Sequence, residues 1–166
     1  MQWQNTFQLV SVGRLIPRKA HRDLLEALAL LGRSDIHLHL IGDGPLAAPL
    51  RAYAGRLGIA QRVTFHGAVD EASKWRLLRT ADCFVSASLY EGFGMVFLEA
   101  MYAGLPIVAT DQGGQTDFLA TGENALLVPP QKPERLAAAL TSLLGEEALM
   151  GRMRECNLLK VQTLTI

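Results

Sequence analysis

Two short segments carry the residue types from which an anion site can be built. Gly13-Arg14-Leu15-Ile16-Pro17-Arg18-Lys19 brings three cations together just before a helical pattern begins. Arginine presents a planar fork of donors and lysine a point charge, a combination suited to phosphate oxygens. A helix N-terminus beside them adds partial positive charge. A multiply charged anion is the natural guest, and a solvated loop is the alternative reading of the same residues. The second segment is Leu89-Tyr90-Glu91-Gly92-Phe93-Gly94, which runs into Met95-Val96-Phe97-Leu98-Glu99-Ala100-Met101-Tyr102-Ala103. Gly92 and Gly94 permit positive φ and close approach of a ligand to backbone N–H groups, so Glu91 is expected on a loop that forms a second anion cradle. A helix-start carboxylate that favours the dipole is the alternative for Glu91. Glu99 sits on a helix that is apolar nearly all round and is expected to be buried. An unpartnered buried carboxylate costs several kcal/mol, so Glu99 needs a donor: a backbone N–H, an arginine or a ligand hydroxyl.

The elements that position these segments follow from hydrophobic periodicity and glycine punctuation. Strands are expected at Phe7–Val12, Ile36–Ile41, Arg62–His66, Asp82–Ala87, Leu105–Thr110 and Ala125–Val128. Helices are expected at Ala20–Leu31, Leu46–Leu57, Glu71–Arg79, Gly94–Ala103, a short Thr116–Ala120, Glu134–Leu144 with Pro133 at its first position, and about Glu146–Leu159. The alternation implies a doubly wound α/β domain: a six-stranded parallel sheet covered on both faces through right-handed crossovers. In the common 3-2-1-4-5-6 order, ligand binds beyond the strand ends between strands one and four. Both segments above are loops at that point.

The chain has 166 residues, 49% of them apolar, which suits a single domain spanning 1–166. Its 16 basic and 16 acidic residues cancel, which argues against nucleic acid held by bulk charge. No apolar run approaches the roughly 20 residues of a membrane span, and Met1-Gln2-Trp3-Gln4-Asn5 lacks the pattern of a secretory signal. Cys83 and Cys156 show no metal-ligand spacing. A cytoplasmic location is expected. His37 and His39 share a strand face with no third ligand in view, and His21 and His66 read as helix-start and strand-end residues. Trp75 reads as core or as a partner contact. Gly42-Asp43-Gly44-Pro45 follows the second strand, but no G-x-G-x-x-G follows the first, so NAD is disfavoured. Gly113-Gly114 is either a tight turn or a close approach of backbone to the crevice.

In this order the pieces resemble the C-terminal, donor-binding half of the retaining family 4 glycosyltransferases of GT-B fold. The resemblance runs from about Leu9 to Leu144: Val12-Gly13-Arg14-Leu15 with Lys19, Leu40 to Pro45, Val63 to Gly67, the two glutamates with seven residues between them in Glu91 to Glu99, Ala100 to Pro106, Gly113-Gly114 and Asn124 to Pro129. It implies that Arg14 and Lys19, beside Gly13, bind the donor diphosphate and offset its growing charge. Glu91 would hold hydroxyls of the donor sugar, making Arg14, Lys19 and Glu91 the catalytic set. Gly92 and the backbone N–H groups of Phe93, Gly94, Met95 and Val96 would support sugar and phosphate, Glu99 would take the ribose hydroxyls, and Ala68 and Val69 would meet the base. No metal and no cofactor beyond the nucleotide-sugar donor is implied.

Ala20 stands where the resembling proteins usually have glycine, Asp117 where glutamate is frequent, and Ala87 where proline is common. The resemblance also implies an N-terminal acceptor-binding domain, on the same or a partner chain, through which peripheral association with the inner face of a membrane could occur. The chain is therefore expected to be a C-terminal fragment or one subunit of a split enzyme, inactive alone. The competing expectations are a non-catalytic nucleotide-sugar-binding or partner-docking module, and the donor half of a sugar-phosphate synthase or nucleotide-sugar epimerase.

Overall fold

The computed structural model describes residues 6–164. Met1–Asn5, read above as lacking an export signal, lie outside the described residues, as do the last two. The described strands are β1 (Phe7–Val12), β2 (Ile36–Ile41), β3 (Val63–Gly67), β4 (Cys83–Val85), β5 (Ile107–Thr110) and β6 (Ala125–Val128). They pair in parallel in the order β3-β2-β1-β4-β5-β6, the expected doubly wound arrangement. The helices are α1 (His21–Leu31), α2 (Ala47–Arg56), α3 (Glu71–Thr80), α4 (Met95–Tyr102), α5 (Pro133–Leu144) and α6 (Glu147–Val161). Among the described residues no helix is long and apolar enough to cross a membrane.

Strand side chains alternate between two buried layers, as a period of two requires. Leu9, Leu38, Leu40, Val85 and Val108 face one layer with Leu24, Leu25 and Leu28 of α1 and Leu136, Leu140 and Leu143 of α5. Val10, Ile41, Phe84, Ile107 and Ala109 face the other with Leu78 of α3 and Phe97, Leu98, Ala100 and Met101 of α4. Phe84 and Phe97 meet edge to face at 5.5 Å, a favoured aromatic geometry. Trp75 packs against the second layer with Val69 and Val96, as a core residue.

Several expected bounds differ for local reasons. The fourth strand was expected from Asp82 to Ala87 and is only Cys83–Val85. At its start the Asp82 carboxylate accepts from Gln8 N at 2.7 Å, and at its end Ser86 and Ser88 turn their hydroxyls toward each other at 3.1 Å. The fifth strand begins at Ile107 rather than Leu105, because Leu105 N bonds back to Ala100 O and Pro106 has no N–H to give. The short helix expected at Thr116–Ala120 is instead a 3-10 turn at Gly114–Asp117. There Gln115 Nε2 donates to Thr110 O at 2.9 Å and to Gln112 O at 2.8 Å, drawing the chain back toward β5. α4 is not buried all round: Met95 and Tyr102 are exposed while its opposite side covers the sheet.

Candidate functional site

The site lies where the strand order reverses, beyond the carboxyl ends of β1 and β4. After β1 the chain turns through Gly13 and Arg14, buries Leu15 as an anchor and makes a 3-10 turn at Pro17–Lys19 before α1. Lys19 folds back along Gly13; a Cβ on Gly13 would stand 3.6 Å from the Lys19 stem. From there Lys19 Nζ reaches Glu91 Oε1 at 2.6 Å, with the two side chains 15% and 9% exposed. Ser88 Oγ donates to the same carboxylate oxygen at 2.7 Å. Sequence reasoning had not singled out Ser88; a hydroxyl three residues before a glycine-flanked glutamate carries little signal until the loop is closed.

The two loops are also joined through the backbone. Leu89 N donates to Arg18 O at 2.9 Å, and Gly114 N donates to Glu91 O at 2.8 Å. Gly113-Gly114 is thus a close approach of chain to chain: a Cβ on either glycine would lie 2.1 Å from a carbonyl oxygen of the Glu91 loop. Gly42 and Gly44 play the same part on the other flank, where added Cβ atoms would strike Gly13 O and Leu15 O at 2.0 and 2.5 Å.

Glu91 lies on the loop, and Gly94 takes φ 85 as it opens α4. Among the described residues, no acceptor is bound to the backbone N–H groups of Gly92, Phe93, Gly94, Met95 and Val96. This row of donors at a helix start is the chemistry an anion needs. Arg14 and Arg18 are exposed, and no described residue pairs with the Arg14 guanidinium. Phe93 and Met95 are exposed too. Behind Lys19, His21 is 5% exposed; burial, with help from the Lys19 charge, pushes its pKa down to about 4. It therefore adds no charge near neutral pH.

Glu99 forms the second pole. Its donor is neither an arginine nor a backbone N–H but Lys74 of α3, whose Nζ stands 2.5 Å from Glu99 Oε2 and 2.9 Å from Glu71 Oε1. Burial works against the Lys74 ammonium, but hydrogen bonds to Glu99 and Glu71 outweigh it, and its pKa lies above the usual lysine value. Val69 is half-buried and packs, like Val96, against the second core layer. Gly13, Lys19, Glu91 and the loop to Val96 are therefore contiguous, with Glu99 one helical turn further along α4.

Ala20, between the 3-10 turn and α1, takes φ 50 and ψ 40, a left-handed conformation that glycine adopts without steric cost. The histidines fall where expected, His21 at the start of α1 and His66 near the end of β3. His66 also meets a neighbour: its Nε2 lies 2.9 Å from His39 Nδ1, and His37 Nε2 lies 2.7 Å from Thr64 Oγ1. Together with Gln8 and Leu77, His39 and His66 line a cleft of about 480 Å³ beside α3, apart from the switch point.

Residues 3–157 match the family described as Glycosyl transferases group 1. The chain is 35% identical over 147 residues to the lipopolysaccharide core biosynthesis glycosyltransferase LpsE of Rhizobium meliloti, which takes in 89% of this chain and 42% of LpsE. It is also 35% identical, over 147 residues, to the GDP-mannose-dependent alpha-(1-6)-phosphatidylinositol monomannoside mannosyltransferase of Mycobacterium tuberculosis, covering 82% of this chain and 38% of that enzyme. The crystal structure of Anabaena HepE in complex with UDP superposes with a TM-score of 0.90 at 26% identity, over 97% of this chain and 45% of HepE. The chain thus spans about two fifths of the length of these relatives. With the sheet order and the family match over nearly its whole length in agreement, this chain belongs to the group 1 glycosyltransferases.

Proposed function

We propose that this chain is the donor-binding half of a retaining GT-B glycosyltransferase. It holds a nucleoside-diphosphate hexose while the hexosyl group passes to a hydroxyl of a glycan, lipid or other acceptor presented by a second domain, on the same or a partner chain. The observation that carries the reading is the Lys19–Glu91 ion pair at the β1/β4 boundary, set beside the open N–H groups of residues 92–96.

In the reaction the bond from the anomeric carbon to the diphosphate oxygen breaks, a bond to the acceptor oxygen forms, and the acceptor proton leaves with the diphosphate. Arg14, Lys19 and the N–H row offset the charge that builds on the leaving diphosphate, where preorganised donors act most strongly. This supplies the charge that a divalent ion provides in other transferases, so no metal is required. Glu91 receives hydroxyls of the hexose, with Ser88 and Lys19 holding one of its oxygens. Glu99 receives the ribose hydroxyls, and Val69 meets the base.

The test is a melting series with UDP, GDP, ADP and their hexose conjugates, in the presence and absence of EDTA. At about 100 times the dissociation constant, binding stabilises the fold by roughly 2.7 kcal/mol, equivalent to about 5–10 °C for a domain of this size. The shift is expected to be indifferent to EDTA. No shift with any nucleotide at millimolar concentration would overturn the reading.

A further inference from the structure

Glu99 is the only charged residue on α4; its neighbours Met95, Val96, Tyr102 and Ala103 offer no side-chain cation. Its partner arrives from a different helix. α3 is capped by Asp70, whose carboxylate accepts from Ser73 N at 2.7 Å and fixes the first turn. Val69, Trp75 and Leu77 pack on the same layer as Val96, so Lys74 extends from an anchored stretch of helix. A lysine that needed only a surface partner would be satisfied by Glu71, three residues earlier on its own helix and largely exposed. Lys74 instead spans Glu71 and Glu99, and only 15% of its side chain is exposed.

The pairing is one-sided. Lys74 meets Oε2 of Glu99, and no described residue donates to Oε1, while the Glu99 side chain is 21% exposed. One oxygen is held and the other is open to a guest. We propose that Lys74 is a positioning residue for the nucleotide: it clamps Oε2 of Glu99 so that Oε1 is presented to the hydroxyls of the ribose. The inference rests on the donor reading above. A carboxylate whose rotamer is already fixed loses less freedom when the ribose arrives, which is the benefit of preorganisation. The opposite role, a lysine that occupies Glu99 and must be displaced, gives the opposite sign when Lys74 is removed.

The experiment measures affinities of the folded chain for UDP, GDP and ADP and for their 2′,3′-dideoxy counterparts by calorimetry, after a melting check. Wild type should prefer the ribose form of whichever base it binds. Lys74→Met, which keeps the stem and removes the charge, should lose most of that preference, about tenfold in affinity for the ribose form, and bind the dideoxy form as wild type does. Lys74→Arg should retain the preference. Glu99→Gln should remove it, and Lys74→Met combined with Glu99→Gln should lose no more than Glu99→Gln alone. If Lys74→Met does not fold, Lys74→Gln takes its place with the same expectations. Tighter binding in Lys74→Met, unchanged preference, or equal loss for both sugar forms would overturn the positioning role and leave the donor reading standing. A wild type that binds both sugar forms equally overturns the ribose role of Glu99 and this inference with it. A wild type that binds none of the three nucleotides overturns the donor reading itself.

Discussion

Removing the charge of Lys19 should cost stability as well as ligand affinity, and the structure sets the scale. Lys19 and Glu91 are 15% and 9% exposed and 2.6 Å apart, so truncating the lysine leaves a largely desolvated carboxylate with only the Ser88 hydroxyl on Oε1. Breaking a buried pair by losing one partner costs about 3–5 kcal/mol; the Ser88 donor and the residual exposure favour the lower end. About 3 kcal/mol is a large share of the roughly 5–15 kcal/mol that holds a domain together, and for a chain of this size it lowers Tm by about 6–12 °C. Lys19→Met should therefore melt early. Lys19→Met with Glu91→Gln should recover most of the loss, because a neutral pair of similar volume removes the orphaned charge, yet it should still fail to bind a nucleotide sugar. Calorimetric melting of wild type, both single variants and the double gives the coupling energy directly. A Lys19→Met chain as stable as wild type, or a double variant destabilised by the sum of its singles, would show that the pair contributes nothing and that Lys19 is held by solvent alone.

Three further outcomes follow from local geometry. Ala20→Gly should raise Tm, since the left-handed backbone costs an L-residue about 1–2 kcal/mol and glycine's added freedom in the unfolded chain returns only about 0.4–1 kcal/mol; a lower Tm refutes this. Gly114→Ala should destabilise the fold by about 1–3 kcal/mol and weaken diphosphate binding, because its Cβ would meet Gly92 O at 2.1 Å. Gly151→Ala, in α6 with open space around it, is the harmless control in the same urea titrations. Stability should also fall on mild acidification. Burial above all lowers the pKa of His21, His37 and His39 to about 4, with Lys19 adding to the effect at His21, His66 at His37, and His37 and His66 at His39. The unfolded value is about 6.5, so the neutral rings' contribution is complete above about pH 6.5 and is lost as pH falls toward 4. Urea midpoints between pH 7.5 and 4.5 should show this slope, and His39→Gln should flatten it; a midpoint constant from pH 7 to 5 would refute the assignment.

The sheet was legible because its information is local and periodic: Leu9, Leu38 and Leu40 alternate with residues of the opposite layer, and glycines mark the turns. The switch-point rule then brought the Lys19 and Glu91 loops together from opposite ends of the chain's first hundred residues. What periodicity could not supply was which side chains meet across elements. Lys74 reads locally as one half of a surface pair with Glu71, and nothing in its own helix points to Glu99. His66 joins His39 only through the β2–β3 register, in which His39 lies beside Thr64. The Gln115 amide curls the chain into a 3-10 turn by seeking carbonyls five and three residues back, a competition with helix that propensity does not record.

The main-chain bonds at the rim of the sheet bear on how such a site can diversify. Gly42 N to Gly67 O, Leu15 N to Asp43 O, Leu46 N to Leu15 O, Leu89 N to Arg18 O, Glu91 N to Gln112 O and Gly114 N to Glu91 O stitch successive loops into a belt across the strand ends. Inserting or deleting one residue in any of them shifts the register of the next, and at Gly42, Gly113 and Gly114 the neighbouring backbone is so close that an added Cβ would come within about 2 Å of a carbonyl oxygen, leaving no slack to absorb it. Loop length is therefore a closed route to a new donor. On the proposed donor role, change of sugar or base must come from side chains projecting off the belt, such as the exposed Tyr90, Phe93 and Met95, which can be exchanged one at a time while the backbone beneath them stays as it is.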